Sequence, residues 1–266
     1  MSAARRVGLI GYGAIARSLL QAIAPMAAQI EVVGIIRKSS GQRNGHYTCC
    51  ETIGELLALK PDLIVECAGH EALGTLGARI LAARTDLLVT STGALADPSI
   101  EAGLRAAAAQ SASRVFLIAG AAGGLDALGA ARYAGLEQVR YVGRKPPGAW
   151  RGTAAEQQVD LRQITGNAVS VFEGTARQAA LRFPQNANVA AAIAFAGLGL
   201  EKTHVQLFAD PTISGNVHRI EAQGAFGHFE IELSGVALPD NPKTSHLTVG
   251  SLARALVEPR DLIVFA

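Results

Sequence analysis

Over residues 1–118 the chain alternates two textures. Short β-branched apolar runs at 6–10, 30–36, 63–66, 87–90 and 114–118 read as strands buried on both faces. Segments rich in Ala and Leu at 15–24, 52–59, 72–83 and 99–109 lie between them and read as crossover helices. This predicts an α/β domain with a doubly wound parallel sheet, whose ligands bind beyond the carboxyl ends of the strands. After Ile118 the pattern changes. A small-residue loop at 119–124 leads into a helix from Leu125, and a polar stretch runs to about Gly166. A helix is then expected at 188–200, with antiparallel strands at 204–208, 216–223 and 227–235, so the second domain reads as α+β. An amphipathic helix at 247–257 is expected to return to the first domain. The predicted division is therefore 1–118 completed by 246–266, with 119–245 as the second domain.

The first strand runs into Gly8-Leu9-Ile10-Gly11-Tyr12-Gly13-Ala14-Ile15-Ala16. Gly11 permits the tight turn, Gly13 lets backbone amides approach a pyrophosphate, and Ala16 keeps the helix close to the strand. With Ala14 and Ile15 in the first helical turn, this turn is the expected cradle for a dinucleotide's phosphates. The fold is thus expected to be of the Rossmann kind. Cys67-Ala68-Gly69 and Ser91-Thr92-Gly93-Ala94, at later strand ends, are small residues that leave room for the cofactor. An acidic residue at the end of the second strand normally bonds the ribose 2′-hydroxyl of NAD. Here residues 32–36 run into Arg37-Lys38-Ser39-Ser40 instead. Two cations and two hydroxyls suit a 2′-phosphate, or form an ordinary solvated loop, so NADP is expected to be accepted and NAD used as well.

Proton-transfer candidates come from strand periodicity. His218 shares a face with Ile220 and Ala222 and is expected to point inward, whereas His228 falls with Glu230 and Glu232 on a polar face. An inward imidazole suits proton transfer, and equally suits a core hydrogen-bonding role. His70 follows the Gly69 loop and either faces the cofactor or simply opens the next helix. His46 and His204 have weaker claims. Asn186 and Asn188 precede a helix, where Asn is a favoured cap. Lys243, Thr244 and Ser245 form either a turn or an anchor for a carboxylate.

These segments carry a resemblance. The glycine turn, the 119–125 loop, Arg182-Phe183-Pro184-Gln185-Asn186-Ala187-Asn188-Val189-Ala190, His218 and Asn241-Pro242-Lys243-Thr244-Ser245 occur in the order found in L-aspartate dehydrogenases, which the whole chain resembles. The resemblance implies reversible NAD(P)-linked oxidation of L-aspartate to iminoaspartate, which hydrolyses to oxaloacetate and ammonia or feeds NAD biosynthesis. It implies that His218 is the active-site histidine and that Ala122 and Asn188 contact the cofactor. It also implies a homodimer formed through the second domain. A related homoserine-type dehydrogenase or reductase, and a dinucleotide-sensing regulator without turnover, are the rival readings.

Composition narrows the setting. The net charge of +2 has no basic block behind it, which speaks against a nucleic-acid partner. Hydrophobic residues make up 49% of the chain, yet no unbroken apolar stretch is long enough to span a bilayer. The apolar segment after Arg5 and Arg6 is interrupted by glycines, so a secretory signal is not expected. Three cysteines, Cys49, Cys50 and Cys67, without a Cys-x-x-Cys spacing, predict neither a disulfide framework nor a metal site. Cys49 and Cys50 read as inert side chains ahead of a helix. A reducing cytoplasm is the expected setting.

Overall fold

The structure is a computed structural model describing residues 3–37, 47–184, 186–238 and 241–258, with Pro242 and Lys243 described in backbone only. The chain divides into two units. The first takes the chain up to Ala94, Pro98–Ile118 and the part from Thr248 on, and the second takes Leu95–Asp97 and Ala119–Leu247.

In the first unit, strands β1 (Arg5–Ile10), β2 (Ile30–Ile36), β3 (Thr48–Cys50), β4 (Leu63–Glu66), β5 (Asp86–Val89) and β6 (Val115–Leu117) form one sheet. Helices α1 (Ala14–Ile23), α2 (Ile53–Ala58), α3 (His70–Ala82) and α4 (Pro98–Ser111) connect them. The strand order is β3-β2-β1-β4-β5-β6 and every pairing is parallel, the doubly wound order of dinucleotide-binding sheets. Cys49 and Cys50, expected only as side chains ahead of a helix, sit in edge strand β3. Three residues are too few for a periodic signal, and only the partner Gly34–Ile36 makes them a strand.

In the second unit, α5 (Leu125–Ala131) leads into β7 (Leu136–Lys145). β8 (Val169–Thr175), α6 (Ala176–Arg182), α7 (Asn188–Ala196) and β9 (Thr203–Ala209) follow, then β10 (Asn216–Gly224) and β11 (Gly227–Gly235). A short hairpin of β12 (Ala237–Leu238) and β13 (Asn241–Ser245) precedes α8 (His246–Val257). The main sheet runs β11-β10-β7-β9-β8. It is mixed, because β9 lies parallel to β7 where antiparallel pairing was expected. The α6–α7 connection turns the chain back so that β9 pairs antiparallel with β8, and because β8 itself runs opposite to β7, β9 comes to lie parallel to β7.

Alanines explain how the helices reach this sheet. Ala176, Ala179 and Ala180 of α6 and Ala190, Ala191 and Ala194 of α7 are buried against Val139, Tyr141, Val205 and Leu207. Short side chains let the helices approach closely. Phe183, after α6, packs edge-on against Trp150 at 5.6 Å and Phe172 at 5.7 Å, an arrangement that ring quadrupoles favour. From Thr248 on, α8 contributes Leu252 and Leu256 to the core of the first unit, beside Val7, Leu9 and Ile35.

Glu66, at the end of an otherwise apolar β4, is fully buried. Its Oε1 accepts from the amides of Ala68 and Gly69, both at 2.7 Å, and from Ser91 Oγ at 3.1 Å. Oε2 accepts from the Ser91 amide at 3.0 Å, and the backbone oxygen from Thr90 Oγ1 at 2.8 Å. One side chain thereby ties the loop after β4 to the loop after β5. Glu66→Gln puts a donor where donors already point, so it is expected to cost about 1–3 kcal/mol of stability. It should also weaken dinucleotide binding. Urea unfolding and cofactor titration of the variant measure the two effects.

Candidate active site

The glycine turn has the geometry its sequence requires. Gly11 has φ +92°, and a Cβ there would lie 2.8 Å from the carbonyl oxygen of Cys67, so no other residue fits. A Cβ on Gly13 would meet nothing within 4 Å, which leaves open space over the start of α1. Gly13 is the N-cap of that helix and no side chain caps it, so the first-turn amides of Ala14 and Ile15 stand available to an anion. Ala16 is fully buried. Backbone bonds from Gly11 N to Ile36 O and from Cys67 N to Ile10 O, both 2.9 Å, fix the neighbouring strand ends. These residues fit a dinucleotide.

Arg37 follows β2 and places its guanidinium 5.6 Å from the ring centre of Tyr12 in the glycine turn. Tyr12 in turn hydrogen-bonds Tyr47 at 3.2 Å. Lys38, its intended partner, lies outside the described residues, as does His46. Cys67, Ala68 and Gly69 form the loop held by Glu66, and burial together with the nearby Glu66 pushes the Cys67 thiol up, so it stays protonated and unreactive. His70 is the first residue of α3 and is half-buried.

In the second unit the register of β7 against β10 sets the site. His218 pairs with Gly143, and the neighbours of Gly143 two residues away on the same face are Tyr141 and Lys145. All four are buried on the face covered by α6 and α7. Tyr141 Oη hydrogen-bonds His218 Nδ1 at 2.7 Å, across the diagonal of the ladder. Glycine at 143 makes this possible, because a Cβ there would sit 2.7 Å from Tyr141 Oη. The other ring nitrogen, Nε2, is buried and meets no hydrogen-bond partner among the described residues. Burial, reinforced by the positive charge of Lys145, pushes the imidazole down to about 3. Burial likewise raises the Tyr141 phenol, which therefore keeps its proton.

Lys145 donates to Asn186 Oδ1 at 2.9 Å and to Asn186 O at 3.3 Å, with its ammonium 5.7 Å from the Trp150 ring centre. The asparagines ahead of α7 are thus not caps. Ala187 occupies the N-cap, Asn188 is the first helical residue, and Asn186 turns its side chain to the lysine. Ala122 is buried in the loop before α5, its amide bonded to Ala119 O at 3.1 Å. Thr244 Oγ1 accepts from Asn241 Nδ2 at 2.9 Å. Ser245 Oγ accepts from the Leu247 amide at 3.2 Å, as a cap of α8 does. Each hydroxyl keeps its own proton to donate. Ser245 is buried beside Gly235, which pairs with Asn216, two residues from His218. The side chain of Lys243 lies outside the described residues. His228 is exposed on the far side of β11, and His204 Nε2 lies 3.2 Å from the Glu173 carboxylate on an exposed surface.

Tyr141, Lys145 and Glu66 are polar residues of these sites that the sequence pattern does not single out, and it offers Asn186 only as a helix cap. The sequence does hold a signal for Lys145, since residues 139, 141, 143 and 145 form an inward phase that ends in a lysine. No helix among the described residues is long and apolar enough to cross a membrane.

The family model described as "Aspartate dehydrogenase, C-terminal" matches residues 126–258, and "Homoserine dehydrogenase, NAD binding domain" matches residues 11–117. An L-aspartate dehydrogenase of Ralstonia nicotianae is 54% identical over 197 residues, 74% of this chain and 73% of that protein. One from Cupriavidus taiwanensis is 45% identical over 255 residues, 94% of this chain and 96% of that one. The crystal structure of aspartate dehydrogenase from Thermotoga maritima superposes with a TM-score of 0.78 at 27% identity, covering 98% and 99% of the two chains.

The buried imidazole has a thermodynamic consequence. Its folded pKa lies below the unfolded 6.5, so between pH 6.5 and about 3 the unfolded chain binds a proton that the native protein refuses. Stability is therefore lost as pH falls through this window, by up to about 1.4 kcal/mol per pH unit from this residue. Urea unfolding at pH 7, 6 and 5 is expected to show a shallower acid slope for His218→Gln than for the unsubstituted protein. Parallel slopes would mean that the native state takes up the proton.

Proposed function

The chain belongs to the aspartate dehydrogenase family, and from that premise we infer that it oxidises L-aspartate reversibly to iminoaspartate with NAD or NADP, His218 moving the proton. The observation that carries the reading is the buried imidazole, whose Nδ1 is held by Tyr141 while Nε2 is left open. The dinucleotide, held by Gly11, Gly13, Ala14, Ile15 and the Cys67-Ala68-Gly69 loop, with Ala122 and Asn188 as further contacts, supplies the hydride acceptor.

The residues of the second unit handle protons. Oxidation removes a hydride from Cα and a proton from the amine nitrogen, leaving a C=N bond. With Nδ1–H donating to Tyr141 Oη, the Nε2 lone pair of His218 is free to accept that proton. In the reverse direction the imidazolium returns it from Nε2, and Nδ1–H keeps the same hydrogen bond to Tyr141. Because Nδ1–H donates to the phenol oxygen whether or not Nε2 carries a proton, one hydrogen bond to Tyr141 serves both protonation states. The low proton affinity of the buried ring makes the imidazolium a strong acid, and negative charge on a bound dicarboxylate raises its strength as a base. Hydrolysis of the imine by water then yields oxaloacetate and ammonia.

Lys243, Thr244 and Ser245 are assigned to substrate binding, supported by the unused hydroxyl protons and by the position of Ser245 near the His218 end of β10. Arg37 is assigned to the adenosine end, with Lys38 beside it in sequence. Its stacking on Tyr12 supports this, because a guanidinium braced on an aromatic ring can fork onto a 2′-phosphate. A homodimer in the cytoplasm is the proposed assembly and setting, and a single monomer peak in light scattering at micromolar concentration would overturn the dimer.

Oxidation of reduced cofactor with oxaloacetate plus ammonia tests the reading directly; turnover of homoserine instead, or of neither substrate, would overturn it. His218→Ala is expected to lower kcat by about two to four decades, the worth of a positioned acid or base, with cofactor affinity unchanged. His228→Ala, on the exposed face, should leave kcat unaltered. Arg37→Ala should raise KM for NADP and spare that for NAD, and equal losses with both would reduce Arg37 to a general adenosine contact.

A further inference from the structure

Resting on the reading of the chain as an oxidoreductase of L-aspartate, we propose that Lys145 and the side-chain amide of Asn186 hold one of the two substrate carboxylates beside His218. The argument begins with the strand. Lys145 ends β7 in the inward phase, two residues beyond Gly143, which pairs with His218, and only 4% of its surface is exposed. A lysine at the end of a strand would ordinarily swing its ammonium into water. This one is buried, with its ammonium beside the indole of Trp150.

The orientation of Asn186 points the same way. Oδ1 accepts from Lys145, which turns Nδ2 to the other side of the amide. That nitrogen is buried and finds no acceptor among the described residues, and neither does Nε2 of His218. Interiors pair nearly all such atoms, so two unpaired nitrogens around one buried cation mark a place where a ligand completes the bonding. The missing partner of Nδ2 must accept from an amide N–H, and negative charge on it is favoured beside the ammonium. A carboxylate does both: one oxygen can take Nδ2–H while the anion sits against the ammonium. This places a carboxylate next to Nε2, where a proton is to be moved. The group is distinct from Lys243, Thr244 and Ser245, which remain available for the other carboxylate.

The test uses succinate, an unreactive four-carbon dicarboxylate, titrated into the whole protein by calorimetry and followed through Trp150, the one tryptophan of the chain. Two substitutions are compared, Lys145→Met and Asn186→Asp. The second is the more telling, since it strengthens the tie to Lys145, so the protein stays folded, while replacing the orphan donor by an anion. Both variants are expected to weaken succinate binding, and to raise KM for oxaloacetate by about 10- to 100-fold, the worth of a lost charge-assisted hydrogen bond. Cofactor KM should change less than twofold. If Lys145 and Asn186 serve only the fold, Asn186→Asp will bind succinate and turn over oxaloacetate as the unsubstituted protein does, and the proposal falls while the dehydrogenase reading stands. If the unsubstituted protein binds succinate through Lys145 but turns over no aspartate, the dehydrogenase reading falls and the carboxylate site stands.

Discussion

The second unit depends on the register of β7 against β10. Pairing Gly143 with His218 sets an imidazole between a phenol two residues one way and an ammonium two residues the other. Because side chains alternate faces, a slip of one residue would carry His218 to the outer face, where Arg140 lies, turn Arg219 and Glu221 inward, and dissolve the site. The absent side chain at Gly143 is what admits the Tyr141 hydroxyl to His218 Nδ1. Packing and chemistry are thus the same constraint.

Keeping such polar groups inside requires a cover that approaches closely without filling the site. The alanines of α6 and α7 supply that cover, and Phe183 with Trp150 and Phe172 fixes the segment from which Asn186 reaches Lys145. The cost is desolvation: the imidazole loses most of its affinity for a proton, and a lysine is held out of water. On the neighbouring strand end, Asp210 faces the opposite balance. Burial pushes its carboxyl up, but hydrogen bonds from Thr212 and Arg144 outweigh that and hold it below the usual carboxylate range. A buried charge with sufficient donors keeps its charge, whereas the imidazole, with one nitrogen unmatched, stays neutral.

The first unit solves a different problem with the same economy of groups. A dinucleotide needs backbone to come close, so its turn is built from positions where a Cβ either collides, at Gly11, or would intrude on open space, at Gly13. Glu66 then organises the loops after β4 and β5 by gathering their amides and hydroxyls onto one carboxyl. The half-buried end of β2 carries no acid to repel a 2′-phosphate, and its arginine lies against Tyr12.

Much of this was legible in the sequence by itself. Buried parallel strands are continuous apolar runs, so the strands of the first sheet other than β3 could be read with their order of use, and the glycine turn declared its ligand because its spacing follows from backbone geometry alone. His218 was likewise assigned to the inner face, since period-two alternation is a local property of one strand. What tertiary structure decided is every relation between segments far apart in the chain. Nothing local to Tyr141 says that its hydroxyl meets residue 218, and nothing local to Asn186 says that it forgoes capping α7 to bind Lys145. The parallel setting of β9, the three-residue strand at Thr48–Cys50 and the five donors converging on Glu66 also exist only through their partners. Periodicity reports which face a side chain takes; only the pairing of strands reports what it finds there.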